Sequence, residues 1–240
     1  MPKLSKAKYF PPAEMAESEG VVLFGGKLKP DWLLDAYSHG IFPWPIFDGT
    51  SIMVWWSPDP RAIFELDKFQ VTRRLRRTVE SDRFQVTCDQ DFRGVIQGCA
   101  TVGDRKRNTW ITPEIMAAYI ELHEAGHAHS IEVWQDGELA GGTYGVAIGG
   151  LFAGESMFHH VRDASKVALT RLVEHLTLRG YTLFDIQQLT SHTASLGAIE
   201  IPRDDYLNRL AWALARRVTF GTTLERTTPV ESDPPEEPSP

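Results

Sequence analysis

Cysteine is scarce in this 240-residue chain, which contains only Cys88 and Cys99. Two cysteines are too few for a disulfide framework, and both lie among apolar residues, so we expect buried thiols. No apolar run reaches the length of about 18 residues that a bilayer requires, so the sequence predicts no membrane span and no membrane partner. The segment MPKLSKAKYFPP also lacks the apolar core of a signal peptide, and we therefore expect a cytoplasmic protein.

Basic residues are missing from residues 227–240, TTPVESDPPEEPSP, which contain four acids and five prolines. A segment of this composition cannot bury an apolar core, so it predicts a disordered, acidic, proline-rich tail. Without these four acids the formal net charge changes from −7 to −3. The rest of the chain is thus nearly balanced in charge and has room for a local basic face.

Composition divides the rest of the chain near residue 62. Residues 1–62 are rich in proline, glycine and aromatic residues, and they predict a small N-terminal lobe of loops and short strands with one helix in PDWLLDAYSHG. Residues 63–226 begin with helical periodicity and change to strand-like alternation with a turn signal at Asp136–Gly137. An amphipathic helix, DASKVALTRLVEHLTLRG, and the strand YTLFDIQ follow. This order predicts an α+β fold with a mixed sheet and packed helices.

The stretch HEAGH, which begins at His123, matches the H-E-x-x-H pattern of zinc hydrolases. That pattern needs both histidines on one continuous helical face, whereas Gly126 stands where a helix commonly ends. The helix of NTWITPEIMAAYIELHEAG, with Thr112 as its N-cap, should therefore end at Gly126, and His127 should lie beyond it. We expect no metal, and we expect His123 and His129 to pack and hydrogen-bond at a helix–strand junction. A zinc metallohydrolase is the alternative.

Two acidic residues, Glu155 and Asp185, lie on otherwise apolar strands in LFAGESMF and YTLFDIQ. A carboxylate in such a place is costly unless it is paired or used in chemistry. Gln187 follows Asp185 by two positions, so the two side chains should project from the same side of the strand. A carboxylate beside an amide suits a positively charged amine. The alternative for either acid is a structural carboxylate that accepts hydrogen bonds from backbone amides at a strand end.

A run of four arginines on one predicted helix is the second functional candidate, and it consists of Arg73, Arg74, Arg76 and Arg77. On a protein with an acidic net charge, such a strip would attract a phosphate backbone locally. A second basic cluster, residues 105–107, is followed by Trp110, and a tryptophan beside basic residues suits base stacking. The alternatives are a solvated helix face and a tryptophan buried in the core. A non-catalytic RNA-binding module would also fit these features.

Seven longer motifs resemble one known family, namely GIFPW, WWSPDPR, TWITPE, AYIELHEAGHAHSIEVW, GGTYGVAIGGLFAGESMF, ASKVAL and HTASLGAIEIPRDDYL. They span roughly residues 9–210 and are similar to the leucyl/phenylalanyl-tRNA–protein transferases. The resemblance implies that residues 63–226 form an acyltransferase domain related to the GCN5-type N-acetyltransferase fold. It also implies an enzyme that moves Leu or Phe, and weakly Met, from charged tRNA to the N-terminal Arg or Lys of a protein, which marks that protein for degradation through an N-degron.

The resemblance further implies roles for individual residues. Asp185 would orient and polarise the acceptor amine, Gln187 would relay or hold it, and Glu155 would complete the site. The 3′-terminal adenosine of the tRNA would stack on Trp110, and the arginine run would hold the acceptor stem. The side chain of the transferred amino acid would occupy an apolar pocket formed by Phe152, Gly154, Leu169, Leu172 and Phe184.

Three features of the chain differ from the common pattern of related enzymes. The segment HHVRDASK lacks the glycine-rich pyrophosphate loop of an acetyl-CoA-dependent enzyme, and an aminoacyl ester carries its own activation, so we expect no cofactor. Thr143 stands where the family can have a larger apolar residue such as Met, which should shift the preference between Leu and Phe. Ile186 replaces a common Cys, and we expect its side chain to face away from the site.

Overall fold

The computed structural model describes residues 2–48, 50–103 and 109–226. The predicted basic cluster at residues 105–107 and the predicted tail at residues 227–240 lie outside these ranges. The first part of the chain contributes β1 (Val21–Phe24), α1 (Pro30–Tyr37), β2 (Phe42–Pro43), β3 (Ile46–Asp48), β4 (Thr50–Ile52) and β5 (Val54–Trp56). Strands β1, β5 and β2 form a three-stranded antiparallel sheet in that order, and β3 pairs with β4.

A seven-stranded mixed sheet follows. Its elements and the helices around it are β6 (Arg61–Phe64), α2 (Arg73–Glu80), β7 (Gln85–Cys88), α3 (Phe92–Thr101), α4 (Pro113–Glu124), β8 (Ala128–Gln135), β9 (Glu138–Ile148), β10 (Leu151–His159), α5 (Ala164–Arg179), β11 (Leu183–Gln187), α6 (Ser191–Ala194), β12 (Ile199–Ile201) and α7 (Arg203–Leu214). The strand order is β12-β6-β11-β10-β9-β8-β7. Only the β10–β11 pair of this sheet is parallel, and α5 connects its two strands. The predicted α+β class is confirmed.

Two apolar clusters cover opposite faces of the seven-stranded sheet. One cluster includes residues of α1, α3, α4 and α7, and the other includes residues of α2 and α5. Along β10, Leu151 and Ala153 belong to the first cluster and Phe152 belongs to the second, as the alternation of a strand requires. Cys88 and Cys99 are both buried and neither forms a disulfide bond, which confirms the expected buried thiols. Among the described residues, no helix has the length and apolarity needed to cross a bilayer.

Helix ends and turns follow the residues that predict them. The Thr112 side chain accepts a hydrogen bond from the backbone N–H of Ile115 at the start of α4. The chain then leaves the helix at Gly126, whose φ of +80° is accessible to glycine at little cost. Asp136 and Gly137 both have positive φ, as a type I′ hairpin requires. These three local predictions are confirmed.

The predicted boundary between a small N-terminal lobe and a larger domain falls inside β6. This strand pairs with β11 on one side and with β12 on the other, so the seven-stranded sheet includes Arg61 at its start. The division of the chain at residue 62 stays a prediction.

The central sheet separates partway along the pair of strands β10 and β11. Their parallel pairing covers only residues 151–153 and 183–185, although β10 continues to His159. Just beyond that point each strand has a bulge against its other neighbour, at Glu155 in β10 and at Ile186 in β11. Bulges bend and twist the strands that carry them, and the two strands separate here. The cleft that results is the position of the candidate site.

Candidate active site

A cavity of about 430 Å³ lies where β10 and β11 separate. Its wall includes residues of β9, β10, α5, β11 and α6, together with Trp110 and, from the N-terminal part of the chain, Phe42 and Trp44. We call it the large cavity. Its size is typical of a pocket for a small molecule or for the end of a larger substrate.

Three of the five residues predicted to form the amino acid pocket line the large cavity, namely Gly154, Leu169 and Phe184. A Cβ atom on Gly154 would lie 2.9 Å from Cε2 of Phe184, so a side chain there would displace that ring. Phe152 and Leu172 are fully buried in the apolar cluster beneath the cavity and do not line it. The structure therefore corrects the prediction for these two residues, which support the pocket from behind.

Two further wall residues bear on the sequence-based expectations. Thr143 lines the large cavity, as expected from its place in the family pattern, and its hydroxyl donates to the backbone oxygen of Ser156 at 2.9 Å. Ile186 also lines the cavity, which contradicts the expectation that its side chain faces away. The cause is the bulge at Ile186, because an extra residue in a strand breaks the alternation of side chains.

Glu155 lies in the wall of the large cavity between two neutral donors. The Tyr119 hydroxyl donates to Oε2 at 3.0 Å, and Nε2 of Gln187 donates to Oε1 at 3.1 Å. The Tyr119 hydroxyl also shares a hydrogen bond with the Tyr37 hydroxyl from α1. Burial disfavours the charged carboxylate and raises the pKa of Glu155 to about 7, although the bonds with the two tyrosines act in the opposite direction. A carboxyl group with this pKa can accept and return a proton near neutral pH.

Asp185 has a different environment. Its carboxylate is fully buried, does not line the large cavity, and forms an ion pair with the guanidinium of Arg61. The Tyr206 hydroxyl donates to Oδ2 at 2.9 Å. Both oxygens are occupied by protein donors behind the cavity wall. The role of Asp185 in orienting the acceptor amine stays a prediction.

Gln187 joins the two acids. Its backbone N–H donates to Oδ1 of Asp185 at 2.9 Å, while its side-chain amide donates to Glu155. Its backbone φ is +59°, a left-handed conformation that is unfavourable for a residue with a Cβ atom. The expected projection of Asp185 and Gln187 from one side of the strand is also wrong, because the bulge between them brings Gln187 to the cavity and leaves Asp185 behind it.

Trp110 lines the large cavity and stacks on Trp44, with ring centroids 4.7 Å apart and planes inclined by 20°. The two rings come from distant parts of the chain and form a face-to-face aromatic stack. Our sequence-based candidates did not include Trp44. Its position between two prolines in FPWPI was the available signal, because such a context is unusual for a residue of a regular core.

The predicted arginine run forms one exposed face of α2. Arg73, Arg74, Arg76 and Arg77 are all exposed, and Leu75 is the buried residue that attaches the helix to the core. Arg74 lies 3.4 Å from Asp163 at the start of α5. A second cavity of about 270 Å³ between α2 and α5 is bordered by further basic side chains. The four arginines are therefore accessible but lie outside the wall of the large cavity.

The histidines of HEAGHAHS serve the helix–strand junction. Nδ1 of His123 lies 2.7 Å from the backbone oxygen of Ala128, and the ring stacks on Phe92. Nδ1 of His129 lies 2.7 Å from Oδ2 of Asp89. The predicted packing of these two residues is confirmed. Within residues 2–48, 50–103 and 109–226, no group of three potential ligands is placed to hold a metal ion.

Several other wall residues carry no earlier prediction. His159, Ser165, Gln188 and His192 bring polar atoms to the large cavity. Burial lowers the pKa of His192, so this ring favours its neutral form. No sequence pattern that we considered distinguishes these residues from ordinary surface polar groups.

Solved structures align loosely with the chain. FemX covers 75% of this chain and 70% of its own at 12% identity and a TM-score of 0.43. A GCN5-related N-acetyltransferase from Kribbella flavida covers 71% and 59% at 12% identity and a TM-score of 0.37.

Sequence relatives align much more closely. The family model described as "Leucyl/phenylalanyl-tRNA protein transferase" matches residues 63–211, and the model of that family's N-terminal domain matches residues 26–59. A leucyl/phenylalanyl-tRNA–protein transferase of Solidesulfovibrio magneticus is 47% identical, covering 94% of this chain and 92% of the relative. One from Salmonella heidelberg is 51% identical over 84% of each chain. The chain therefore belongs to the leucyl/phenylalanyl-tRNA–protein transferase family, whose members are aminoacyltransferases.

Proposed function

We propose that this protein transfers Leu or Phe, and weakly Met, from charged tRNA to the N-terminal Arg or Lys of acceptor proteins. The transfer would mark those proteins for degradation in the cytoplasm, where charged tRNA is available. The observation that carries the proposal is the hydrogen-bonded pair of Glu155 and Gln187 in the wall of the large cavity, between apolar wall residues and the stacked tryptophans.

The donor end of the tRNA fits the chemistry of the large cavity. The amino acid side chain would lie against Leu169 and Phe184, and the terminal adenine would stack on an outer face of the Trp44–Trp110 pair. Stacking of a base on an aromatic ring contributes about 1–3 kcal/mol. A β-branched side chain such as that of Ile or Val would be rejected by shape, at about 1–3 kcal/mol for each misplaced carbon.

The acceptor amine would approach Glu155 and Gln187. Because Nε2 of Gln187 donates to Glu155, the amide oxygen of Gln187 remains to accept an N–H of the amine. The neutral amine then attacks the ester carbonyl carbon. A bond forms from nitrogen to this carbon, and the bond from the carbon to the ribose oxygen breaks. One proton moves from nitrogen to the departing ribose oxygen, and Glu155 would carry it.

The activated ester supplies the driving force, so the protein contributes mainly alignment and proton transfer. Effective molarities of about 10⁵–10⁸ M are available when two reactants are held in register. A carboxylate at the cavity wall also suits the cationic side chain of an N-terminal Arg or Lys. The exposed arginines of α2 would bind the phosphate backbone of the tRNA.

The experiment that tests the proposal incubates the purified protein with [¹⁴C]Leu-tRNA and a peptide that begins with Arg. Labelled peptide is the expected product, and the same peptide with an acetylated N-terminus should stay unlabelled. If the protein binds charged and uncharged tRNA equally and labels no peptide, it is an RNA-binding module and the proposal is wrong. Stoichiometric zinc in the purified protein would instead support a metallohydrolase.

The tRNA contact needs its own test. Changing Arg73 and Arg76 to Glu should weaken tRNA binding and reduce the slope of log affinity against log salt by about 1 for each lost phosphate contact. Changing Arg216 and Arg217 to Glu is the matched control, because these two arginines are also exposed, lie outside α2 and give the same change in net charge. Equal losses in both variants would assign the effect to net charge rather than to the helix.

A further inference from the structure

The Asp185 carboxylate accepts four hydrogen bonds, two on each oxygen. Oδ1 accepts from Nε of Arg61 and from the backbone N–H of Gln187, each at 2.9 Å. Oδ2 accepts from Nη2 of Arg61 at 2.7 Å and from the Tyr206 hydroxyl at 2.9 Å. An ionised carboxylate has about four acceptor positions, so none remains for a substrate amine. Asp185 can therefore affect the reaction only through the groups to which it is hydrogen-bonded.

Arg61 is buried, and protein groups contact its guanidinium from several directions. Its side chain is only 1% exposed, and Nη1 donates to the backbone oxygen of Gly40 at 3.0 Å. The guanidinium lies 4.8 Å from the centre of the Phe42 ring and 4.5 Å from the centre of the Tyr206 ring. A planar fork fixed in this way determines both the position and the rotation of the carboxylate with which it pairs.

Gln187 is the residue that needs such support. A left-handed conformation is unfavourable for a residue with a Cβ atom, and it persists only where the surroundings enforce it. The bond from its N–H to Asp185 is a contact that enforces it, since the donor is the strained residue's own backbone. The same conformation directs the side-chain amide to Glu155 in the cavity wall.

We propose that Arg61 is a positioning residue for Gln187. It acts through Asp185, whose carboxylate fixes the backbone of Gln187 and so holds the amide against Glu155 at the reaction centre. Tyr206 completes this arrangement by donating to the second oxygen. The inference rests on the proposed transfer reaction and specifies which residues outside the cavity wall control its geometry.

A purely structural role is the competing explanation for the Arg61–Asp185 pair. Buried ion pairs are weak evidence for stability, because the cost of removing two charges from water offsets much of their attraction. A role in stability alone would place no demand on the conformation of Gln187. The positioning role does, because a displacement of about 1 Å at a reaction centre can lower a rate by about 100-fold.

The test compares Arg61→Lys with the unmodified chain in the peptide-labelling assay. Lysine keeps the charge but cannot occupy both oxygens as a fork. We expect kcat to fall by about 10- to 100-fold while the KM values for Leu-tRNA and for the peptide stay unchanged. Arg203→Lys is the matched control, because Arg203 also connects α7 to the N-terminal part of the chain, through Ser57, but does not contact Asp185.

The pH profile gives a readout that a structural role would not change. In the intact site the Gln187 amide stabilises the charged form of Glu155. If Arg61→Lys displaces that amide, the pKa that governs kcat should move to higher pH. If the lysine variant does not fold, Tyr206→Phe decides the question, because it removes one donor to Asp185 and keeps the ring beside Arg61.

The outcomes separate the two proposals. A reduced kcat with the shifted pH profile in Arg61→Lys or Tyr206→Phe supports the positioning role. A folded variant with the unmodified kcat and pH profile overturns it and leaves the transfer reaction in place. Absence of transfer by the unmodified chain overturns the proposed function itself.

Discussion

Two carboxylates lie on adjacent strands of the central sheet, and their surroundings decide what each can do. Glu155 lies in the wall of the large cavity and accepts hydrogen bonds from the neutral groups of Tyr119 and Gln187. Asp185 lies behind the wall and is paired with the cation of Arg61. Burial beside neutral donors leaves Glu155 able to exchange a proton, whereas the acceptor positions of Asp185 are occupied by protein donors. The environment of Glu155 therefore suits proton transfer, and that of Asp185 suits holding neighbouring groups in position.

The largest expected effect tests the cavity side of this comparison. Glu155→Gln keeps the shape of the side chain but removes the proton acceptor, so kcat should fall by about 10²–10⁴-fold, the usual contribution of general acid–base catalysis. The peptide-labelling assay measures this loss, and urea unfolding should show a folded protein of similar stability. Glu138→Gln is the matched control on an exposed part of β9. Transfer at the unmodified rate in Glu155→Gln would show that Glu155 does not carry the proton.

For Asp185, which lies behind the cavity wall, the main expected effect is a loss of stability. Asp185→Ala leaves the Arg61 guanidinium buried without its partner, which should lower the free energy of unfolding by about 3–5 kcal/mol. Urea unfolding measures this change. Adding Arg61→Met should restore part of the lost stability, because the uncompensated charge is then gone, but should not restore transfer. An Asp185→Ala variant as stable as the unmodified chain would show that the ion pair with Arg61 does not give Asp185 a structural role.

Local patterns predicted much of the fold. Caps, turn glycines and periodicity were sufficient for α4, for the hairpin at Asp136–Gly137 and for the helix end that separates His123 from His127. These features depend on interactions between neighbours in sequence, which a single sequence contains. The acids on apolar strands were also a sound signal that polar chemistry occurs there.

The parts of the site that sequence did not predict depend on contacts between distant residues. The bulge at Ile186 arises where β11 pairs with β6, and strand register is set by such pairing rather than by the strand itself. Arg61 lies 124 positions before Asp185, so no local pattern connects the two. Phe152 and Leu172 have the composition of pocket residues, but only the packing of α5 on the sheet decides that they lie beneath the pocket.

A smaller effect is expected from the shape of the cavity. Thr143→Met would place a longer side chain in the wall, where it should disfavour Phe relative to Leu by about 1–3 kcal/mol in kcat/KM. Competition between Leu-tRNA and Phe-tRNA measures the ratio. Thr143→Val is the matched control, because it removes the hydroxyl without adding length. An equal change in both variants would assign the effect to the lost hydrogen bond to Ser156 rather than to volume.

The response to pH sharpens the comparison further. Burial is the main reason that the pKa of Glu155 is about 7, so the rate should rise as pH increases through that value and the carboxyl group loses its proton. The charged and titratable groups that face Glu155 are Tyr37, Tyr119, Arg61 and Asp185, and the same cavity contains His159 and His192. In Glu155→Gln the rise in rate near pH 7 should disappear. A rise that follows the ionisation of the acceptor amine, whose pKa is about 8, should remain.

The last prediction concerns the pH dependence of the free energy of unfolding. The pKa of Glu155 is 4.5 before folding and about 7 in the folded protein, so the folded state binds this proton more tightly. The stabilisation is therefore complete below the lower value and is lost as pH rises through the higher one. Urea unfolding of the unmodified chain should show this loss between about pH 4.5 and about pH 7, and Glu155→Gln should lack that part of the pH dependence. Identical pH dependence in the two proteins would mean that Glu155 does not take up a proton on folding in this pH range, and the proposed proton exchange at the cavity wall would lose its support.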